Sequence, residues 1–258
     1  MLGSHTMSIH PSATLMPGVY IEPGVTIGAN VTIGANTVIL APVRIEADTW
    51  IGANVTISGE IVVGGRSQIN HGAVVTSSVP PKAMVMGNPA KIVGYVDTPL
   101  YETGHAQART TTTTITPSDV KGVALYNLRF VPDMRGALSV GEFLRDIPFA
   151  PLRYFLVLGV PTAETRGEHA HIACHQFLIA VTGSVSVVAD DGSNRQEFIL
   201  DKPQIGLYLP PLTWGIQYRY SHDAVLLVFA SDYYDPDDYI RDYRQFVDYV
   251  KKHPTTHT

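Results

Sequence analysis

Aliphatic side chains recur at every sixth position near the start of the chain: Ile9, Leu15, Ile21, Ile27, Ile33, Ile39, Ile45, Ile51, Ile57, Val63 and Ile69. Gly often follows the aliphatic residue, and the fifth position is mostly Val, Thr or Ala, as in Ile27-Gly28-Ala29-Asn30-Val31-Thr32. A period of six is neither the 3.6 of a helix nor the simple alternation of a strand. It suits a coil of short flat faces, with one aliphatic per face pointing inward and Gly or Asn at the corner, where positive φ is tolerated. Three hexads close a triangular turn, and turns stack at about 4.8 Å. The expected element is a left-handed parallel β-helix over residues 8–96.

The pattern then changes. Residues 97–119, with Gly104, His105 and the run Thr110 to Thr114, show no amphipathic period and read as a linker; part of the threonine run suits an edge strand. From 120 to 252 the chain reads as short strands with turn signals: 153–160, 176–181, 184–189, 197–200, 205–209 and 224–230. Asp191-Gly192 marks a hairpin turn. Such spacing predicts a sandwich or barrel. A terminal helix is predicted from Asp235 as N-cap with Pro236 at its first position, and its apolar face would carry Tyr239, Ile240, Tyr243, Phe246, Val247 and Val250. Residues 253–258 form a tail. The fold class is thus mainly β, a β-helix followed by a barrel with a terminal α-helix.

Composition narrows the function. The 258 residues, 45% hydrophobic, are enough for two domains with separate cores. A net charge of −5 with 16% charged residues lacks the basic footprint of a nucleic-acid binder. No apolar run reaches the ~20 residues of a membrane span, so a soluble protein is expected. Cys174 is the sole cysteine, which rules out an intrachain disulfide and fits a reducing cytoplasm. Residues 1–7 read as an expression scar, with the natural start at Met7.

Candidate chemistry concentrates at Arg166-Gly167-Glu168-His169-Ala170-His171. Histidines at i and i+2 on a strand share a face, and imidazole titrates near neutrality, so the pair suits proton transfer. Two buried, hydrogen-bonded structural histidines are the plainer alternative. A His-x-His pair also resembles the metal-binding cupins. Their later glutamate and histidine positions are here held by Gln176 and Gly215, so no metal is expected, although His175 keeps that reading open. In the first domain the histidines are His10 and His71, and His71 with Asn70 is the candidate acetyltransferase site, against a bland reading as a corner histidine.

Two resemblances follow from these residues. Ala73 to Pro81, then Met86-Gly87-Asn88-Pro89-Ala90-Lys91, resembles the closing stretch of hexapeptide-repeat acyltransferases. That likeness implies a trimer and acetyl-CoA, although the repeat lacks the loop excursion that usually accompanies the family's catalytic histidine. The histidine motif, with Gln176-Phe177-Leu178-Ile179, Gly183-Ser184, Asp190-Asp191-Gly192, Tyr208-Leu209-Pro210-Pro211 and Trp214, resembles the dTDP-4-keto-6-deoxy-glucose 3,4-ketoisomerases. The fusion of the two resembles the WxcM-like bifunctional proteins. The resemblance implies a dTDP-linked sugar substrate and a 3-acetamido-3,6-dideoxyhexose as eventual product. His171 is assigned as leading base and His169 as its partner, in an order that the sequence leaves open. The resemblance also implies a catalytic tyrosine on the preceding strand, where Tyr154 is the nearest candidate. Arg166 would counter the diphosphate or enolate charge or else form a salt bridge. Gln176, Tyr208 and Trp214 are substrate-binding candidates, although aromatics at strand spacing are more often core. Cupin domains also pair. A nucleotide-sugar binding module, a metal-dependent cupin oxygenase and a β-helix serving only as a trimerisation scaffold are the competing readings.

Overall fold

The structure is a computed structural model that describes residues 8–99, 110–161 and 164–253. The segment expected as an expression scar, residues 100–109 of the expected linker and the tail beyond 253 lie outside the described residues. The chain divides into two compact units, Met1–Asp97 and Thr98–Thr258.

The first unit is a parallel β-helix. Strands of two or three residues stack into three parallel sheets, and the hexad aliphatics pair with their equivalents one coil on, Ile9 with Ile27 and Ile27 with Ile45. Ile33, Ile39, Ile51, Ile57 and Ile69 are fully buried along the axis. Burying each such side chain contributes about 1.5–3 kcal/mol. The corners fall where the sequence has Asn: Asn30, Asn36 and Asn54 have φ near +56°. Asn30 also donates its amide to Asp48 one coil on, 3.0 Å away. A strand at Ala83–Met86 pairs antiparallel with Lys91–Tyr95 beyond the last coil.

The second unit is a barrel of two antiparallel sheets, its strands numbered here from its own start. They are β1 (Thr114–Pro117), β2 (Ala124–Asn127), β3 (Arg129–Asp133), β4 (Gly136–Val140), β5 (Arg153–Leu158), β6 (Arg166–His171), β7 (Gln176–Thr182), β8 (Val185–Asp190), β9 (Arg195–Leu200), β10 (Ile205–Leu209), β11 (Trp214–Tyr218), β12 (Val225–Ala230) and β13 (Tyr239–Ile240). One sheet runs β1-β2-β10-β7-β12-β5 and the other β9-β8-β11-β6-β13, with β3 and β4 a separate hairpin. Strand β1 lies inside the stretch expected as linker, and it takes the sheet edge to which the threonine run is suited. The interior is packed by inward positions of both sheets, among them Leu125, Leu178, Val187, Phe198, Leu207 and Leu226.

The C-terminal helix departs from expectation. Asp235 caps only a single 3₁₀ turn, Pro236–Asp238. Tyr239 and Ile240 then pair with β6 as strand β13, and α1 (Tyr243–Lys252) starts later, with Asp242 as N-cap accepting from the Gln245 N–H. The helical period of the sequence was real, but strand pairing captured the first two residues of its apolar face, and an Asp seven residues on offered a second cap. Trp214 and Phe246 then lock α1 to the barrel.

Candidate active site

Strand β6 presents the histidines through a bulge. Gly167 (φ 81°) and Glu168 (φ 54°) interrupt the ladder with β11, so that Arg166 pairs with Gln217 and His169 with Gly215. The extra residue brings Arg166 and His169, three apart, to one face. A side chain at position 167 is excluded, because a Cβ there would lie 2.6 Å from the Gly215 carbonyl oxygen. The Glu168 carboxylate accepts the Thr165 hydroxyl at 2.6 Å and fixes the bulge. Past it, alternation puts His169 and His171 side by side, ring centroids 5.0 Å apart.

A cleft of about 630 Å³ opens here, lined by Arg166, His169, Gln176, Gln217 and Tyr239 together with residues of β5. His171 lies behind its wall, 5% exposed. Its Nδ1–H donates to the Asp238 carboxylate at 2.7 Å, and its Nε2 accepts from the Gln176 amide at 3.1 Å. Asp238 is held in turn by the backbone N–H groups of Ala173 and Cys174. Burial pushes the His171 pKa down while the Asp238 carboxylate works against that shift. His169 donates Nδ1–H to the Gly167 carbonyl at 2.8 Å, which leaves the Nε2 lone pair free. Burial lowers its pKa to about 4, opposed by the Gly167 bond and assisted by the neighbouring His171 and Arg241. Both rings are therefore neutral at rest, one backed by a carboxylate and one not.

The sequence reading missed Asp238, Tyr239, Gln217 and Arg241. Asp238 and Tyr239 fall in what reads as a helix start, and only the pairing of β13 with β6 brings them to the histidines. A sequence signal existed: Asp238 is one of four aspartates between 232 and 238, but nothing in that acidic run distinguishes it.

Several expected site residues face elsewhere. Tyr154 is 67% exposed, because β5 turns Arg153, Phe155 and Val157 inward and Tyr154 outward. Tyr208 lies on the outer face of its sheet, opposite Leu207 and Leu209, where its hydroxyl meets His175 Nδ1 at 2.6 Å and burial raises its pKa to about 12. Trp214 is 4% exposed and packs against Tyr243 and Phe246 of α1, since on β11 it is Gly215 and Gln217 that face inward. Both aromatics belong to packing rather than to the cleft. Arg166 and Gln176 do line it. In the β-helix, His71 Nδ1 accepts the Ala53 N–H at 2.8 Å, so the neutral ring carries its proton on Nε2 and offers no free lone pair to act as a base. Asn70 beside it is half-buried.

His171, Cys174 and Asp238 bring three potential metal-ligand atoms within 4.8 Å of one another. Their bonding is that of a His–Asp dyad: the carboxylate accepts from His171 and two backbone N–H groups, and the Cys174 thiol donates to the His175 carbonyl. All three donors are thus engaged in hydrogen bonds with one another or with the backbone.

Comparison with known proteins covers both units. A family described as WxcM-like, C-terminal (FdtA) matches residues 121–251. Bacterial transferase hexapeptide repeats match residues 6–41, and the hexapeptide repeat of succinyl-transferase matches 42–77. A TDP-4-oxo-6-deoxy-alpha-D-glucose-3,4-oxoisomerase from Aneurinibacillus thermoaerophilus is 41% identical over 126 residues, 49% of this chain and 91% of that protein. The crystal structure of QdtA, a sugar 3,4-ketoisomerase from Thermoanaerobacterium thermosaccharolyticum in complex with TDP, is 38% identical and covers 51% of this chain and 96% of its own, with a TM-score of 0.50. A histidine variant of the same enzyme, in complex with TDP-4-keto-6-deoxyglucose, is 36% identical and covers 52% of this chain and 97% of its own, with a TM-score of 0.51.

Proposed function

Because the chain belongs to the WxcM-like, C-terminal family, we propose that its second unit is a 3,4-ketoisomerase acting on a dTDP-4-keto-6-deoxyhexose. One observation carries the mechanism: two neutral imidazoles stand 5.0 Å apart, His169 on the cleft wall and His171 just behind it, backed by a carboxylate.

The C4 carbonyl of such a sugar acidifies the neighbouring C3–H. His171 Nε2 takes that proton while the electron pair forms C3=C4 and O4 becomes an oxyanion. Asp238 meets the resulting imidazolium and stabilises it, as the carboxylate of a catalytic triad does. His169 accepts the O3 proton at its free Nε2 as C3=O forms, and His171 returns its proton to C4. C3–H and O3–H break, C4–H and O4–H form, the proton lost at O3 making up for the one gained at O4, and the oxidation level of the sugar as a whole is unchanged. Gln176, bonded to His171 Nε2 and lining the cleft, is displaced as the sugar carbon approaches. Arg166 on the cleft wall opposes the diphosphate or enolate charge.

The hexapeptide repeats support an acyltransferase-like first unit, with acetyl-CoA as donor and a 3-amino sugar as acceptor, in a homotrimer. The product would be a 3-acetamido-3,6-dideoxyhexose. The bond from Ala53 to His71 favours a second reading, a trimerising scaffold without this chemistry. Thiol release from acetyl-CoA in the presence of a dTDP-3-amino sugar separates the two.

The isomerase is tested by proton NMR with dTDP-4-keto-6-deoxy-glucose in deuterated water. A 3-keto species is expected with the native protein and none with His171→Asn. A substrate left unchanged by the native protein would overturn the reading.

A further inference from the structure

The two histidines leave one atom of this reaction unserved. O4 develops a full negative charge as the C3 proton leaves and must receive a proton, yet at that moment neither imidazole holds one to give. His169 has its only N–H on the Gly167 carbonyl, and the His171 proton, once taken from C3, is owed to C4. Arg166 can oppose charge, but a guanidinium does not give up its proton. The Thr165 hydroxyl is committed to Glu168, and Glu164 is exposed. Among the described residues lining the cleft, one phenol remains, Tyr239.

Its position follows from the sheet. Tyr239 on β13 lies directly opposite His171 on β6, and directly paired residues of neighbouring strands project to the same face. Its ring accordingly meets both imidazoles, 4.3 Å from His171 and 4.9 Å from His169 between centroids. The Arg241 guanidinium sits 4.1 Å over the same ring. A cation against an aromatic face is attracted to it, and the attraction grows if the ring becomes a phenolate. By contrast Tyr154 points out of the opposite side of β5.

Resting on the ketoisomerase reading above, we infer that Tyr239 is a further catalytic residue, the acid that protonates O4 and is then recharged through His169. The Tyr239 O–H bond breaks as O4–H forms, leaving a phenolate under Arg241. His169, whose ring lies against that of Tyr239, takes the O3 proton and returns it to the phenolate. The C3 proton travels to C4 on His171 alone. Each group ends as it began, and the asymmetry of the site is accounted for: the dyad histidine moves the carbon-bound proton, while the free histidine and the tyrosine move the oxygen-bound one.

Tyr239→Phe keeps the ring and removes only the acid. Product formation in the NMR assay is expected to fall ~10²-fold or more, the usual loss of a general acid, with KM within about threefold. A rate within about threefold of native overturns the inference. Fluorotyrosine at position 239 guards against a folding effect, since it retains the hydroxyl but makes it more acidic. The alkaline limb of the rate profile should move to lower pH, and an unmoved profile also overturns the inference. If the native protein itself fails to isomerise the sugar, the ketoisomerase reading fails first; if it turns over and both tests are negative, only the role of Tyr239 falls.

Discussion

Desolvation of His169 gives that single residue a measurable effect on stability. Its pKa falls from the ordinary 6.5 to about 4 in the folded protein. The unfolded chain therefore binds more protons than the native one between about pH 6.5 and 4. Stability must rise with pH through that window, and acidification across it costs up to ~3 kcal/mol from this group. Urea unfolding of native protein and His169→Gln at a series of pH values should show the variant losing less stability as pH falls. Parallel curves would mean that the ring is better solvated than its surroundings indicate. The same depressed titration leaves His169 neutral, and so able to accept a proton, throughout the physiological range.

At the scale of elements, the site depends on two departures from regular structure, the bulge in β6 and the late start of α1. The bulge turns Arg166 and His169 to one face, and the short β13 delivers Asp238 and Tyr239. The helix itself is held by Trp214, Tyr243 and Phe246, with the Tyr243 hydroxyl donating to the buried Asp190 at 2.7 Å. Trp214→Ala should cost about 3–5 kcal/mol of stability, as for other buried large-to-small changes. KM measured well below the melting temperature should change little, because the indole does not reach the cleft. A large rise in KM with stability intact would restore Trp214 as a sugar-stacking residue.

For the whole molecule, the family matches divide the chain where its compact units do. The WxcM-like match, 121–251, falls within the second unit, and the hexapeptide matches fall within the first. Residues 98–258 expressed alone should fold and isomerise the sugar at close to the native rate. Sedimentation should find the full chain as a trimer and the shortened one without that assembly. Loss of isomerisation on removing the first unit would show that the β-helix does more than assemble the enzyme.

The sequence by itself determined what is local and periodic. Hexad spacing dictates the β-helix because one aliphatic per face must point to the axis, and His169 and His171 share a face because strand side chains alternate. It was also enough for Arg166 and Gln176 to be singled out. Tertiary structure alone decided which groups meet those histidines. Tyr154, Tyr208 and Trp214 have the right chemistry but stand on faces that only the sheet pairing reveals. Asp238 and Tyr239 lie 67 and 68 positions beyond His171 and look like the opening of a helix. They become part of the site because an antiparallel ladder to β6 satisfies their backbone, and no local preference encodes a hydrogen bond made across that distance.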